Sequence, residues 1–425
     1  MATPIISALR RSRAAQFHIR PGPVWQITRG QITRSADLVV ALLVALIVSS
    51  AVYFGQDAGG ADGKPPFVNP LKPSHVYALI YAATAFYLVI LMRGLPRLWT
   101  GIAPFMLALG ALHLLWLPFG GDDPQVARMF VLRMNGVVIA LCFQVILSLA
   151  EDMAPLLATI RAIISLTAAL NVLVVLAPDI FTVSMGAYVG RAAGLFGDPN
   201  ICATLISLLT PLACHGCGLR NRLIYYALGA VAVFFTFSRS GVLLYGMAVT
   251  LDLVVRPGVR RQALSWPVRW GVLILFCALV GMAAALMWSD IVHALSPYLT
   301  PDTLARMRGL DEGSGAERVE VLRMGADMFA AHPVFGAGLA ATRVWTMPVS
   351  VHNMTILFGA EFGILGILWF LAFLWRLHLF PARYGLVIGP LVAVQSLFTH
   401  SYFDIPYYIM VFLLYWRLGH AIRSS

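Results

Sequence analysis

A run of about 20 apolar residues needs a solvent that tolerates it, and this chain repeats such runs from residue 36 to residue 418. They fall near 36–55, 74–92, 98–119, 130–150, 157–178, 200–214, 223–237, 240–256, 269–289, 353–375, 384–399 and 404–420. In hydrocarbon the backbone must satisfy its own hydrogen bonds, so each run is expected to be a helix. A barrel would alternate polar and apolar residues with period two, and that alternation is missing. The fold class that follows is all-α: a polytopic integral membrane protein with about twelve transmembrane helices.

Composition supports this reading. The chain is 60% hydrophobic and only 12% charged, against about 25% charged for a soluble domain. The formal net charge of +11 would suggest nucleic acid in a soluble protein. Here no basic segment is interleaved with a recognisable binding module, so nucleic acid is excluded as a partner. Basic loops that orient the chain and meet anionic membrane lipids account for the charge. The five cysteines lie in or beside apolar runs and imply no disulfide framework. The pair in CHGC, 214–217, has CxxC spacing without a second ligand pair, which is weak grounds for a metal.

Loop charges assign the two sides. Residues 1–35 carry Arg10, Arg11, Arg13, Arg20, Arg29 and Arg34, and the run after them is too long and too late for a cleaved signal peptide. With this end cytoplasmic, the cytoplasmic loops hold Arg93, Arg97, Arg220, Arg222, Arg256, Arg260, Arg261, Arg269, Arg376 and Arg383. Arg417 and Arg423 close the chain on the same side. The opposite loops are mostly poor in arginine, as the positive-inside rule requires. The expected division is a cytoplasmic basic segment 1–35, helices one to nine over 36–289, an external loop 290–352 containing a helix, and helices ten to twelve with a short cytoplasmic tail over 353–425.

Arginines on the outer side work against that rule and invite a chemical reading. In the long loop, Ser314 and Glu317 have capping-box spacing. The segment that follows puts Arg318, Leu322, Gly325 and Phe329 on one helical face, ending at His332-Pro333. Arg318 would then lie in the first turn, where the helix dipole and a guanidinium together suit a phosphate; pairing with Glu317, Glu320 or Asp311 is the plainer alternative. Arg239, in the turn of FSRSG, projects at the outer end of a helical hairpin, either snorkelling to lipid phosphate or holding an anionic substrate. RAAGLFGDPN, 191–200, reads as a turn at the outer mouth of the sixth run.

VHN, 351–353, places His352 at the membrane edge, where an imidazole can accept a proton near neutral pH. Asn353 could hold that ring or a sugar hydroxyl. Glu361 lies nine residues further on, about 13–14 Å along a helix and too deep to orient the imidazole. It reads as a buried partner for a polar residue of another helix, with Arg133 a candidate. Outer arginines can hold a diphosphate without a metal, and a histidine can activate a hydroxyl.

In order, RAAGLFGDPN, FSRSG, ERVEVLRMGADMFAAHPVFGAGL, VHNMTILFGAEFGILG and THSYFDIP resemble the bacterial O-antigen ligase and polymerase superfamily, over roughly residues 185–410. That resemblance implies a GT-C-like membrane glycosyltransferase in the bacterial inner (cytoplasmic) membrane. Both termini would be cytoplasmic and the active site periplasmic. It would be a metal-independent, inverting enzyme that needs no cofactor. The donor would be an undecaprenyl-diphosphate-linked glycan. The acceptor would be lipid A-core for a ligase, or another lipid-linked glycan for a polymerase of O-antigen or exopolysaccharide.

By motif, Arg239 and Arg318 match the family arginines at the diphosphate and His352 matches the proposed base. Arg191 and Asn200 match a recurring RxxGxxxxPN pattern and are assigned a positioning role, and Asn353 is assigned to substrate binding beside His352. Thr355 and Phe358 depart from the usual residues after HN, which leaves the acceptor open. A transporter or flippase for a polysaccharide lipid stays in view, with Arg133, Arg161 and Glu361 lining a path. A purely structural membrane protein is the remaining alternative.

Overall fold

The structure is a computed structural model that describes residues 29–51, 69–91, 101–119, 123–177, 181, 187–188, 191–255, 293, 296, 313–345, 351–381 and 384–424. The described helices are α1 (Arg29–Leu43), α2 (Pro73–Leu91), α3 (Ala103–Trp116), α4 (Pro124–Leu149), α5 (Ala154–Leu176) and α6 (Pro199–Ala213). They continue as α7 (Leu219–Phe234), α8 (Arg239–Val255), α9 (Gly313–Ala331), α10 (Met354–His378), α11 (Tyr384–Gln395) and α12 (Pro406–Ser424). A two-residue ribbon, β1 (Ala187–Tyr188) against β2 (Arg191–Ala192), is the described exception to an all-helical chain.

Eleven of the twelve apolar runs coincide with a helix. The run 269–289 lies outside the described residues, as do residues 1–28, Arg93, Arg97 and residues 301–312. The first helix begins at Arg29, inside the segment 1–35 that the charge pattern set apart. Four described helical segments are long and apolar enough to cross a membrane: Gly30–Val48, Pro124–Leu149, Ala154–Leu176 and Met354–His378. Ala103–Phe119, Pro199–Ala213 and Tyr384–Gln395 are shorter apolar helices.

Several starts are fixed by local chemistry. Asp123 and Asp198 each precede a proline and accept backbone N–H groups, which caps α4 and α6. The proline has no N–H to leave orphaned, and its φ suits the first helical position. Exposed leucines then mark the faces that look outward. On α10, Leu365, Leu368, Leu371 and Trp375 form one exposed apolar stripe. In water such a stripe would be a liability; in lipid it is the expected outer surface.

The last helix is the hub. From Tyr407 to Leu418 every α12 residue except Arg417 is buried. A helix apolar all round must be surrounded, and α12 packs on α4, α6 and α11. Its polar groups are tied off: Tyr415 donates to the Leu208 carbonyl at 2.7 Å, and Arg417 donates to the carbonyls of Leu147 and Ala150.

Helix α10 is broken rather than continuous. Gly363 has φ 65° and ψ −151°, a conformation that frees backbone groups of the turn around it. The segment after α9 fills that break. Ile364 N–H donates to the Pro333 carbonyl (2.8 Å), Ala337 N–H to Ala360 (2.7 Å), and Gly338 N–H to Glu361 (3.2 Å). The approach is so close that a Cβ on Gly336 would collide with the Glu361 carbonyl, and one on Gly363 with the Val334 carbonyl. HPVFGAG and GAEFG are two halves of one joint, and Trp116 of α3 latches it through Nε1 to the Phe335 carbonyl at 2.6 Å. The glycines around Glu361 serve this backbone joint as well as helix contact.

Candidate active site

His352 closes the loop that leads into α10. Asn353 caps that helix, its Oδ1 accepting from the N–H groups of Thr355 (3.0 Å) and Ile356 (3.1 Å). Met354 N–H donates to the Ser396 carbonyl at 2.8 Å, which fastens the start of α10 to the end of α11. The turn 396–405 is thereby held beside His352. Its His400 puts Nδ1 3.2 Å from the His352 Nδ1, with the rings 4.6 Å apart and nearly perpendicular.

Helix α9 lies along the start of α10. A Cβ on Gly325 would come within 2.8 Å of Val351 and 2.9 Å of Ile356. Phe329 lies against Gly359 in the same way. The docking stripe is Arg318, Val321, Gly325, Met328 and Phe329; Val321 is fully buried while Leu322 turns outward at 37% exposure. This corrects the expected face, in which Leu322 stood where Val321 does. The helix also starts at Gly313, so Arg318 sits in the second turn rather than the first and gains less from the helix dipole. Its side chain is exposed at the end of the stripe.

Charges from three directions act on His352. Burial lowers its pKa most, the positive charges of Arg318 and Arg343 lower it further, and Asp198 pulls the other way. His400 is held neutral more firmly, at about 3, by burial and then by Arg343 and His352. The pair is thus a neutral imidazole couple in a cationic surrounding.

Arg343 is held by a buried string of charges. It donates to Asp404 at 2.9 Å, whose other carboxylate oxygen accepts from Arg133 Nε at 2.9 Å. Arg133 then pairs with Glu361 at 2.5 Å, and Thr342 donates to the same carboxylate at 3.0 Å. Arg133 and Glu361 are buried at 3% and 0% exposure. The partner expected for Glu361 is therefore found. Glu361 does not touch the imidazole, but through Arg133 and Asp404 it helps fix the arginine that faces it.

Arg191, Asn200 and Ser238 form a second knot, and Arg239 follows it at the start of α8. Arg191 donates to the Thr236 carbonyl (2.8 Å) and to Asn200 Oδ1 (2.9 Å). Ser238 donates to the same Oδ1 at 2.9 Å. Ser238 also accepts from Gly241 N–H at 3.2 Å and so caps α8 directly before Arg239. Phe237, with φ 48°, makes the sharp turn that aims this corner. Arg239 itself is exposed. Asp198, two residues before Asn200, joins the knot to His352 through its charge.

Three residues missed in the sequence complete the site: His400, Arg343 and Asp404. His400 and Asp404 stood in THSYFDIP, a segment noted only as part of the resemblance. Elsewhere, Arg161 donates to the carbonyls of Ala213 and His215 and to Cys217 Sγ, and His215 bonds the Tyr384 hydroxyl. CHGC is thus a tied-off helix end. Among the described residues no three His, Cys, Asp or Glu side chains gather as a metal site. Arg133, Arg161 and Glu361, which a transporter would need along an open path, are engaged with protein groups.

Comparison with known proteins adds one match. No curated protein and no solved structure matches the chain. Residues 224–371 match the family model described as O-Antigen ligase. The matched segment is shorter than half of the chain and carries Arg239, Arg318, Arg343, His352 and Glu361; Arg191, Asn200, His400 and Asp404 fall outside it. Over residues 224–371, this chain is similar to the O-Antigen ligase family model.

Proposed function

We propose that this protein is a membrane glycosyltransferase of the O-antigen ligase and polymerase type, acting in surface polysaccharide biosynthesis. The observation that carries the reading is the half-buried His352 at a helix mouth, its pKa lowered by burial and then by Arg318 and Arg343, inside the family segment. A neutral imidazole beside arginines is what a base working next to an anionic leaving group requires.

The donor is an undecaprenyl-diphosphate-linked glycan and the site faces the periplasm, in a GT-C-like fold of about twelve spans with both ends in the cytoplasm. His352 takes the proton of an acceptor sugar hydroxyl. That oxygen forms a bond to the anomeric carbon while the bond from this carbon to the diphosphate oxygen breaks, and the lipid diphosphate departs with the electron pair. Arg239, Arg318 and Arg343 stabilise the charge that grows on its phosphates. The leaving group is a weak base, so no general acid is needed, and one displacement inverts the anomeric centre. Arg191 and Asn200 hold the corner that carries Arg239, and Asn353 holds the entry of α10.

Purified protein given lipid-linked glycan and acceptor in a single compartment, with divalent metals chelated, should form the glycoside. Loss of transfer under chelation contradicts the metal-free mechanism. Absence of transfer with metal restored, together with movement of the lipid across vesicles, favours a flippase instead. The acceptor is read from a deletion strain. Unattached lipid-linked polymer marks a ligase, and single repeats mark a polymerase.

A further inference from the structure

We propose that His400 is a positioning residue for His352, accepting a hydrogen bond from its Nδ1–H and thereby reserving Nε2 as the atom that takes the substrate proton. The inference rests on the proposed role of His352 as base and adds a residue from outside the matched family segment.

The two Nδ1 atoms lie 3.2 Å apart, so one proton sits between them. Two placements exist. With the proton on His352 Nδ1, His352 Nε2 has a free lone pair and the ring is a base. With it on His400 Nδ1, His352 carries its proton on Nε2 and cannot accept another there. Among the described residues, Nδ1 is the His352 ring nitrogen that is engaged. The rings meet edge to face rather than in parallel, with the two Nδ1 atoms as the polar contact between them.

The surroundings keep His400 neutral, and a neutral ring with its proton on Nε2 accepts at Nδ1. Arg343 faces it from the loop after α9, Arg133 from α4, His352 from the entry of α10 and Asp404 from its own turn. Two arginines against one acid disfavour a second cation, so His400 stays neutral. During transfer the acceptor hydroxyl proton moves to His352 Nε2. The Nδ1 proton stays in the bond to His400, which stabilises the new positive charge on His352 without any group gaining or losing further protons. Arg318 from α9 and Asp198 from the turn before α6 complete the charged groups around His352.

The test compares His400→Phe, His400→Asn and His400→Asp in the full-length purified protein, with folding checked by thermal unfolding and gel filtration. Phenylalanine fills the space without an acceptor. It should lower kcat on the order of 100-fold, within what a positioned general base contributes, while KM for the lipid-linked donor stays within about two-fold. Asparagine offers a carbonyl oxygen and should restore most of kcat. Aspartate should raise the acidic limb of the kcat/KM profile, because a carboxylate favours the imidazolium of His352. A folded His400→Phe with wild-type kcat and an unmoved pH profile overturns the inference. If His400→Phe fails to fold, the Asn and Asp variants decide: an unmoved acidic limb in both overturns it. His352→Ala separates the two ideas. Should it retain full activity, the base assignment itself fails; should it be inactive while His400→Phe is normal, only the role of His400 fails.

Discussion

At the residue scale, the account turns on protonation and caps. His352 is a base only when neutral, and its pKa is held below the ordinary histidine value near 6.5. Activity is lost as pH falls through that lowered value, so the acidic limb of kcat/KM should lie below pH 6.5. Removing a nearby positive charge with Arg318→Met should move the limb upward, besides weakening donor binding. A limb that stays in place shows that Arg318 does not act on His352. Asn353 makes the opposite kind of prediction. Its side-chain oxygen caps α10, so Asn353→Ala should cost about 1 kcal/mol of stability, and Asn353→Ser should restore it with near-normal transfer. Loss of transfer by Asn353→Ser without loss of stability indicates substrate contact instead. In the sequence, His352 and Arg239 stand out as polar residues at apolar edges and Arg318 as a basic residue in an outer loop. His400 does not, because it lies 48 residues from its partner and nothing in a one-dimensional pattern shows two turns fastened together by Met354 and Ser396.

At the element scale, the joint between HPVFGAG and GAEFG connects the loop helix to the membrane helix. It sets where α9 lies, and therefore where Arg318 points relative to His352. Gly363→Ala forces a side chain into positive φ, on the order of 1–3 kcal/mol of strain, and into the Val334 carbonyl. Gly336→Ala collides with the Glu361 backbone in the same joint. Both should lower the unfolding temperature and reduce transfer. A Gly363→Ala protein with unchanged stability would show that the break in α10 is dispensable. Hydropathy located α10 to within a few residues, since lipid demands a long apolar run. It gave no sign of the break, because a helix interrupted by an inserted loop is as apolar as an unbroken one. The expected Leu322 face failed for a related reason: Val321 and Leu322 are both apolar, and the partner surface at Val351 and Ile356 selects between them.

At the scale of the whole molecule, a buried charge string runs from Glu361 through Arg133 and Asp404 to Arg343 and ties α4 and α10 to the turn before α12. Removing one member leaves an uncompensated charge. Arg133→Met should therefore destabilise by about 3–5 kcal/mol, and pairing it with Glu361→Leu should recover part of that loss in thermal unfolding. Equal stability of the single and double variants would mean that the string contributes little. Its composition was half legible: an acid within an apolar run must find a cation, and Arg133 was the available one. Its extension to Asp404 and Arg343 depends on α12 being central, which the all-round apolar sequence of α12 allows but does not locate.

The central claim is that His352 removes the proton of the acceptor hydroxyl. The most direct measurement is the single-turnover rate of glycan transfer by purified wild-type protein and by His352→Ala, with saturating lipid-linked donor and with donor binding measured separately. The account predicts a fall of about 100-fold to 10,000-fold in the transfer step with donor affinity nearly unchanged. A His352→Ala protein that transfers glycan at the wild-type rate contradicts it.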